Sequence, residues 1–210
     1  MKIIDKNTWS RREAFEMFSQ MEYPFYSVTI PIDITEVKKA SDEERISFYY
    51  LMVWLCTKAV NSVEQFRIRT EDDDIVVLDV LKPSFTDMKK GAEQFHIVSL
   101  PWEENPVSFC EKAAAQSKNQ VHFIESAESK NLIYFSCLPW FDFTSLTNEH
   151  KLDKDDFFPR IAWGKYYEEK GHLWVHMSIE VNHRMIDGIH LGQLKEAIDR
   201  EIALLDLLLK

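Results

Sequence analysis

The sequence predicts an α/β protein, a two-layer sandwich in which helices pack on a mixed β-sheet. Three observations predict it. Strand and helix patterns are intermixed without strict β-α-β alternation. The segment HLWVHMSIEV, from His172 to Val181, alternates apolar and polar residues like a half-buried strand. The run from Ile46 to Val60 is apolar nearly all round, the pattern of a buried helix. At 210 residues, 45% hydrophobic and 13% aromatic, the chain is long enough for one sizeable core. No linker divides it, so a single domain over residues 1–210 is expected.

Taken in order, Thr8 is placed to cap a short helix carrying Trp9, Phe15 and Phe18 on one side. Tyr26–Ile34 alternates like a strand. SDEERIS forms an acidic capped turn ahead of the Ile46–Val60 helix, which is too short and too flanked by charge to span a membrane. Phe66–Arg69 and Ile75–Leu81 read as a hairpin around the acidic turn TEDDD, and His96–Leu100 as a further strand. Asn105 as cap with Pro106 at the first helical position starts a helix through NPVSFCEKAAAQSK. Leu132–Leu138 is a strand that runs into the aromatic loop PWFDFTSL. The chain then crosses a charged stretch to Phe158–Tyr166, turns near Lys170–Gly171 and enters the long strand. It closes with an amphipathic helix from about Leu191 to Leu209.

Composition excludes several function classes. A net charge of −10 argues against a nucleic-acid partner, which needs a basic surface, although a local basic patch for a phosphorylated cofactor stays open. Five glycines and seven prolines leave no room for a repeat or low-complexity design. Cys56, Cys110 and Cys137 are odd in number, far apart and each in an apolar stretch, so buried free thiols in a reducing compartment are expected. The start MKIIDKNTW has no apolar targeting core, and no segment approaches 18 uninterrupted apolar residues. A soluble, cytoplasmic protein is expected, with no membrane partner.

The candidate chemistry sits at the end of the long strand, in VNHRMIDGIH from Val181 to His190. Leu173, Val175, Met177, Ile179 and Val181 share one face, and parity places His183 on it too. Histidine is the side chain whose ordinary pKa lets it take and return a proton near neutral pH. Four residues on stands Asp187, followed by Gly188. A metal site is not expected, because two ligands at this spacing suit a helix and no cysteine pair lies nearby. From the spacing alone, a catalytic histidine and a hydrogen-bonded core histidine both stay open.

Four segments, taken together, decide between them by likeness. WSRREAF is similar to the Trp-x-Arg-Arg/Lys-Glu-x-Phe opening of the chloramphenicol acetyltransferase family. SFYYLMVWLCTKAVNSVEQFRIR resembles that family's first core helix and its exit into a strand. PWFDFTSL resembles the family's Pro-Trp-x-x-Phe-x-Ser-Phe loop. GKYYEEKGHLWVHMSIEVNHRMIDGIH resembles its lysine–tyrosine segment, last strand and His-x-x-x-Asp-Gly motif. The likeness extends over nearly the whole chain. The last motif alone is shared with the lipoyl-dependent acyltransferases, but the four together are more specific.

The resemblance implies direct acetyl transfer from acetyl-CoA, as co-substrate, to a hydroxyl of a small-molecule acceptor such as chloramphenicol, without an acyl-enzyme. His183 would be the general base and Ser145 the hydroxyl donor to the developing oxyanion. Asp187 would be structural, paired with Arg11 of the opening helix in preference to Arg12, and Gly188 would permit the tight turn. Lys165 and Tyr166 match a pair that touches coenzyme A in the family, although a solvated strand end fits them nearly as well. The resemblance also implies a homotrimer with active sites between subunits, which Trp140, Phe141 and Phe143 would suit as well as ordinary core packing would. The acceptor pocket is expected near Phe18, Tyr23, Phe25 and Tyr26, with the charged Glu22 beside it.

Two departures from the family pattern stand out. The family usually has two consecutive histidines, and Asn182 occupies the first position here. Ala162 stands where a threonine commonly holds a water near the oxyanion, a loss of order 1 kcal/mol. Three readings follow: chloramphenicol acetylation, the same chemistry on another small acceptor, and a trimeric binding protein that has lost catalysis.

Overall fold

The computed structural model describes residues 1–125 and 129–209. Its strands are β1 (Lys2–Ile4), β2 (Phe25–Asp33), β3 (Ile68–Glu71), β4 (Asp74–Val77), β5 (Lys82–Asp87), β6 (His96–Ser99), β7 (Leu132–Leu138), β8 (Arg160–Gly164), β9 (Tyr167–Glu169) and β10 (His172–Asn182). Its helices are α1 (Arg12–Phe18), α2 (Thr35–Glu43), α3 (Phe48–Ser62), α4 (Pro106–Asn119), α5 (Gly188–Ala203) and α6 (Leu205–Leu208). The expected α/β class and mixed sheet stand. The main sheet has the order β2-β10-β8-β7-β5-β6, with β9 also paired to β10, and a small sheet β1-β4-β3 forms beside it. In the main sheet β7 runs parallel to both β5 and β8, while β10 is antiparallel to β2 and β8.

One contiguous apolar cluster fills the space between helices and sheet. Leu51, Trp54, Leu55, Ile161, Trp163, Val175, Met177, Ile179 and Ile198 are all at most 1% exposed within it. Each such residue contributes roughly 1.5–3 kcal/mol on leaving water, which is why the alternating apolar face of β10 and the all-apolar α3 share one core. Ser47 caps α3 by accepting from the Tyr50 N–H, and Asn105 caps α4 by accepting from the Ser108 N–H.

Several elements differ from the sequence reading. Thr8 does not cap α1; its hydroxyl and N–H turn back to Asp5, and Arg11 occupies the cap position without a side-chain cap bond. The stretch before α3 is not just a capped turn but the end of α2, whose buried side is only Val37, Ala40 and Ser41. The hairpin is β3–β4, shifted by a single-turn helix at Glu64–Arg67, with Asp72 at positive φ in the turn. β1 and β5 were not foreseen. Gly188 does not make the turn after β10: residues 183–185 make it, and Gly188 is the first residue of α5 with no positive φ. No helix among the described residues is long and apolar enough to cross a membrane.

Candidate active site

The end of β10 delivers His183 to the rim of the sheet. Its N–H donates to the Pro24 carbonyl at 2.7 Å, which ties the turn to the start of β2. The imidazole lies between two rings: Phe18 of α1 is stacked on it at 4.0 Å and 16°, and Tyr26 of β2 lies at 4.4 Å. Since Tyr26 pairs with Val181 across the ladder, its ring belongs to the apolar face that parity assigned to His183. Aromatic packing of this kind fixes the ring plane.

The tautomer follows from the partners. His183 Nδ1 is 3.0 Å from the Ile186 carbonyl oxygen. A carbonyl only accepts, so Nδ1 carries the hydrogen and Nε2 keeps its lone pair. The Tyr26 hydroxyl also donates to Ile186 O, at 3.3 Å, and burial pushes that phenol up to about 12. Tyr26 is therefore a hydrogen-bond donor at working pH and not a base.

Arg11 underpins the turn. Its guanidinium grips Asp187 through both nitrogens, Nη2 to Oδ1 at 2.8 Å and Nη1 to Oδ2. It also donates to the carbonyls of Arg184 (2.9 Å) and His183 (2.6 Å). Arg12, by contrast, points along the helix to Glu16. The Arg11 bonds hold the Asp187 carboxyl below the usual carboxylate range against the opposing effect of burial. Asp187 Oδ1 lies 3.2 Å from His183 Nδ1, so the carboxylate sits behind the imidazole as well as beneath the turn. His190, which the sequence reading did not single out, accepts from the Asp187 N–H through Nδ1 at 2.9 Å and completes a capping box on α5. Burial first, and then the Arg11 charge, lower its pKa, which suits an acceptor that must stay neutral.

Ser145 lies elsewhere in the same chain. It is exposed in the loop after β7, whose next residue, Leu146, accepts from Ser178 Oγ at 3.3 Å. Ser178 precedes His183 by five strand positions, or about 16 Å along β10 at the usual rise. One chain therefore brings Arg11, His183 and Asp187 together and holds Ser145 apart from them. The start of the serine loop is seated by Gly164: a Cβ there would stand 2.9 Å from the Phe141 carbonyl, which accepts from Lys165 N–H. His176 Nδ1 binds Asp142 at 2.9 Å and stacks on Tyr167. Lys165 and Tyr166 are exposed on the bend between β8 and β9, Tyr166 edge-on to Phe48. Trp140 and Phe141 are exposed at 66% and 53%, so they are not core residues of the lone chain. Ala162 is buried in β8 beside Ser136 and Ser178 on neighbouring strands.

Asn182 does not touch the imidazole. Its amide donates to the carbonyls of Lys154 (2.8 Å) and Asp156 (3.1 Å), and its oxygen accepts from Arg184 N–H. Tyr23 and Phe25 gather around His150, and Glu22 is exposed next to them. The three cysteines are free, and burial pushes each thiol up to about 12.

The family model described as chloramphenicol acetyltransferase matches residues 1–199. Chloramphenicol acetyltransferase 3 of Escherichia coli is 31% identical over 197 residues, covering 90% of this chain and 91% of that protein. The chloramphenicol acetyltransferase of Bacillus pumilus is 30% identical over 199 residues, covering 93% and 90%. Among solved structures, a chloramphenicol acetyltransferase at 21% identity matches with a TM-score of 0.86 over 96% of this chain and 99% of that one. A probable dihydrolipoamide acetyltransferase from Listeria monocytogenes matches at 0.61 and 12% identity over 95% and 92%, a likeness of fold.

Proposed function

Because this chain belongs to the chloramphenicol acetyltransferase family and is a CoA-dependent acetyltransferase, we propose that it moves an acetyl group from acetyl-CoA to a hydroxyl of chloramphenicol or a similar small acceptor. The observation that carries the reading is His183, part-exposed, with Nδ1 committed to Ile186 O and Nε2 left to act as base. Nε2 takes the acceptor's hydroxyl proton as the oxygen attacks the thioester carbonyl. The imidazolium so formed is stabilised by Asp187 behind it, and it returns the proton to the departing thiolate. No cysteine is needed as nucleophile, in keeping with three thiols that stay protonated.

The carbonyl oxygen gains charge during attack and requires a donor aimed at it. Ser145 is the candidate, and its separation from His183 within one chain means that a second copy must bring it. We read the working unit as a homotrimer in which the base of one subunit faces the serine of its neighbour, with exposed Trp140 and Phe141 covered between subunits. Phe18 and Tyr26 wall the acceptor side, and Lys165 and Tyr166 are the proposed coenzyme A contacts. Free thiols, two of them buried and one half-buried, fit a reducing, cytoplasmic setting, and acetylation of the drug would confer resistance.

A second reading, the same chemistry on another acceptor, is favoured by exposed Glu22 beside the Tyr23–Phe25 aromatics, where a carboxylate disfavours a neutral aromatic drug. Thiol release from acetyl-CoA decides between them. Release with chloramphenicol supports the first, release only with a different hydroxylated or amine acceptor supports the second, and none across a broad acceptor panel rejects both.

A further inference from the structure

The second face of β10 carries polar side chains at alternate positions: Ser178, Glu180 and Asn182, with Arg184 continuing the series just past the strand. All four are at most 5% exposed. Buried polar groups need partners, and here most come from one segment, the chain leaving the Ser145 loop, with Ser27 of β2 and Ser19 adding a bond each to Glu180 and Arg184. Ser178 Oγ donates to Leu146 O at 3.3 Å. Glu180 Oε2 accepts from Asn148 N–H at 3.1 Å and from Ser27 Oγ at 2.9 Å, while Oε1 faces His150 Nε2. Asn182 binds the Lys154 and Asp156 carbonyls. Arg184 reaches Lys154 O at 2.8 Å and Asp155 Oδ1 at 2.6 Å. His150 Nδ1 lies 3.3 Å from Asp156, which Arg160 holds at 2.6 Å, so the segment is also closed on itself.

We propose that this ladder is a positioning device that sets the Ser145 loop in register with the His183 turn, and that Glu180 and Asn182 are positioning residues for acetyl transfer. The proposal rests on the reading above, in which Ser145 and His183 serve the reaction. The serine loop has no helix or strand of its own, so its place is inherited from its anchors: before the serine Phe141, packed on Gly164, and Asp142, held by His176, and after it the ladder. Glu180 and Asn182 precede the base by three residues and one residue, so one rigid strand end holds both parts. Because a chain's serine and histidine serve different active sites in the trimer, the ladder ties each site to its neighbour.

The test combines amide hydrogen exchange with steady-state thiol release from the full chain. The variants are Asn182→Ala and Glu180→Gln, each alone and with Ser145→Ala. The glutamine keeps the size of Glu180 but turns an N–H toward groups that themselves donate, so it stays informative if Asn182→Ala fails to fold. The expected result is faster exchange across residues 143–149 in each variant. With chloramphenicol as acceptor, kcat falls about tenfold while both KM values stay within about threefold. Once Ser145 is already alanine, the further loss is about twofold or less, because the ladder acts through it. Unchanged exchange at 143–149, or the same tenfold loss in both backgrounds, overturns the proposal. If the wild-type chain frees no coenzyme A with any acceptor, the catalytic reading fails, and exchange alone still decides whether the ladder holds the loop.

Discussion

Asp187→Asn keeps the shape of the side chain and removes its charge. Arg11 then retains its bonds to the His183 and Arg184 carbonyls but loses its counter-ion, and the new amide nitrogen faces the guanidinium. A charge-assisted hydrogen bond contributes about 1.5–3 kcal/mol net. The Arg11 side chain is 9% exposed but that of Asp187 is 38% exposed, so solvent screening takes roughly half, leaving an expected cost of about 1–2 kcal/mol. At about 2–4 °C per kcal/mol for a chain of this size, Tm should fall by about 2–8 °C. Because Arg11 also fixes the His183 carbonyl and Asp187 backs the imidazole, kcat in the thiol-release assay should fall about tenfold or more. The pH dependence has a definite sign. A carboxylate held below its unfolded value stabilises the fold above about pH 4, and that stability is lost as the pH falls through the folded value. The stability gap between wild type and Asp187→Asn, measured as urea midpoints, should therefore be full at pH 7 and shrink below pH 4. If Asp187→Asn leaves both Tm and kcat at wild-type values, the Arg11–Asp187 strut is wrong.

Other perturbations probe the remaining parts. His183→Ala should reduce acetyl transfer by about 10³-fold or more with Tm and oligomeric state unchanged; retained activity would rule out His183 as the base. Ser145→Ala should cost about 10²-fold in kcat with little change in either KM, as expected for a donor used only in the transition state, whereas a pure KM effect would assign the serine to binding. Gly164→Ala forces a Cβ against the Phe141 carbonyl and should destabilise the fold by about 1–3 kcal/mol while lowering kcat through the displaced serine loop; a neutral melt would show that the loop yields freely. Cys56 and Cys110 should resist iodoacetamide at pH 8 in the folded protein, the half-buried Cys137 should react more slowly than a free thiol, and all three should react in denaturant; rapid native labelling of Cys56 or Cys110 would contradict their burial.

Much of the fold was legible where local rules and burial agree. Leu132–Leu138, the Asn105–Pro106 helix start and the long alternating strand each carry strong local signals, and each stands at or near its expected place. The misses have local causes. α2 is mostly charged and buries only three residues, so its period is faint. β5 reads poorly because Pro83 and Ser84 interrupt it, yet it lies between β6 and β7 inside the sheet. Thr8 had the right chemistry for a cap, but the backbone turns at Asp5 before the helix begins. In the site, Arg11 and Asp187 are 176 residues apart and were paired only through family likeness. Nothing local foretold that Glu180 and His150 would meet, since an alternating strand shows which side a residue faces and not what covers it.

By itself the sequence determined the kinds of group available: a histidine at the end of an apolar strand face, a serine in an aromatic loop, three thiols in apolar stretches, and a family pattern joining them. Tertiary structure decided which groups meet. It committed His183 Nδ1 to Ile186 O and so left the lone pair on Nε2, in a turn whose His183 carbonyl Arg11 holds. It set the loop residue after Ser145 against Ser178, about 16 Å of strand before His183, while Arg11 and Asp187 meet at the His183 turn. It also turned Asn182, on sequence grounds a weakened neighbour of the base, into a strut for the segment behind it. The physical reason is the same in each case. Periodicity and propensity act over a few residues, whereas hydrogen bonds and burial are satisfied by whatever chain happens to cross, and only the folded path says which chain that is.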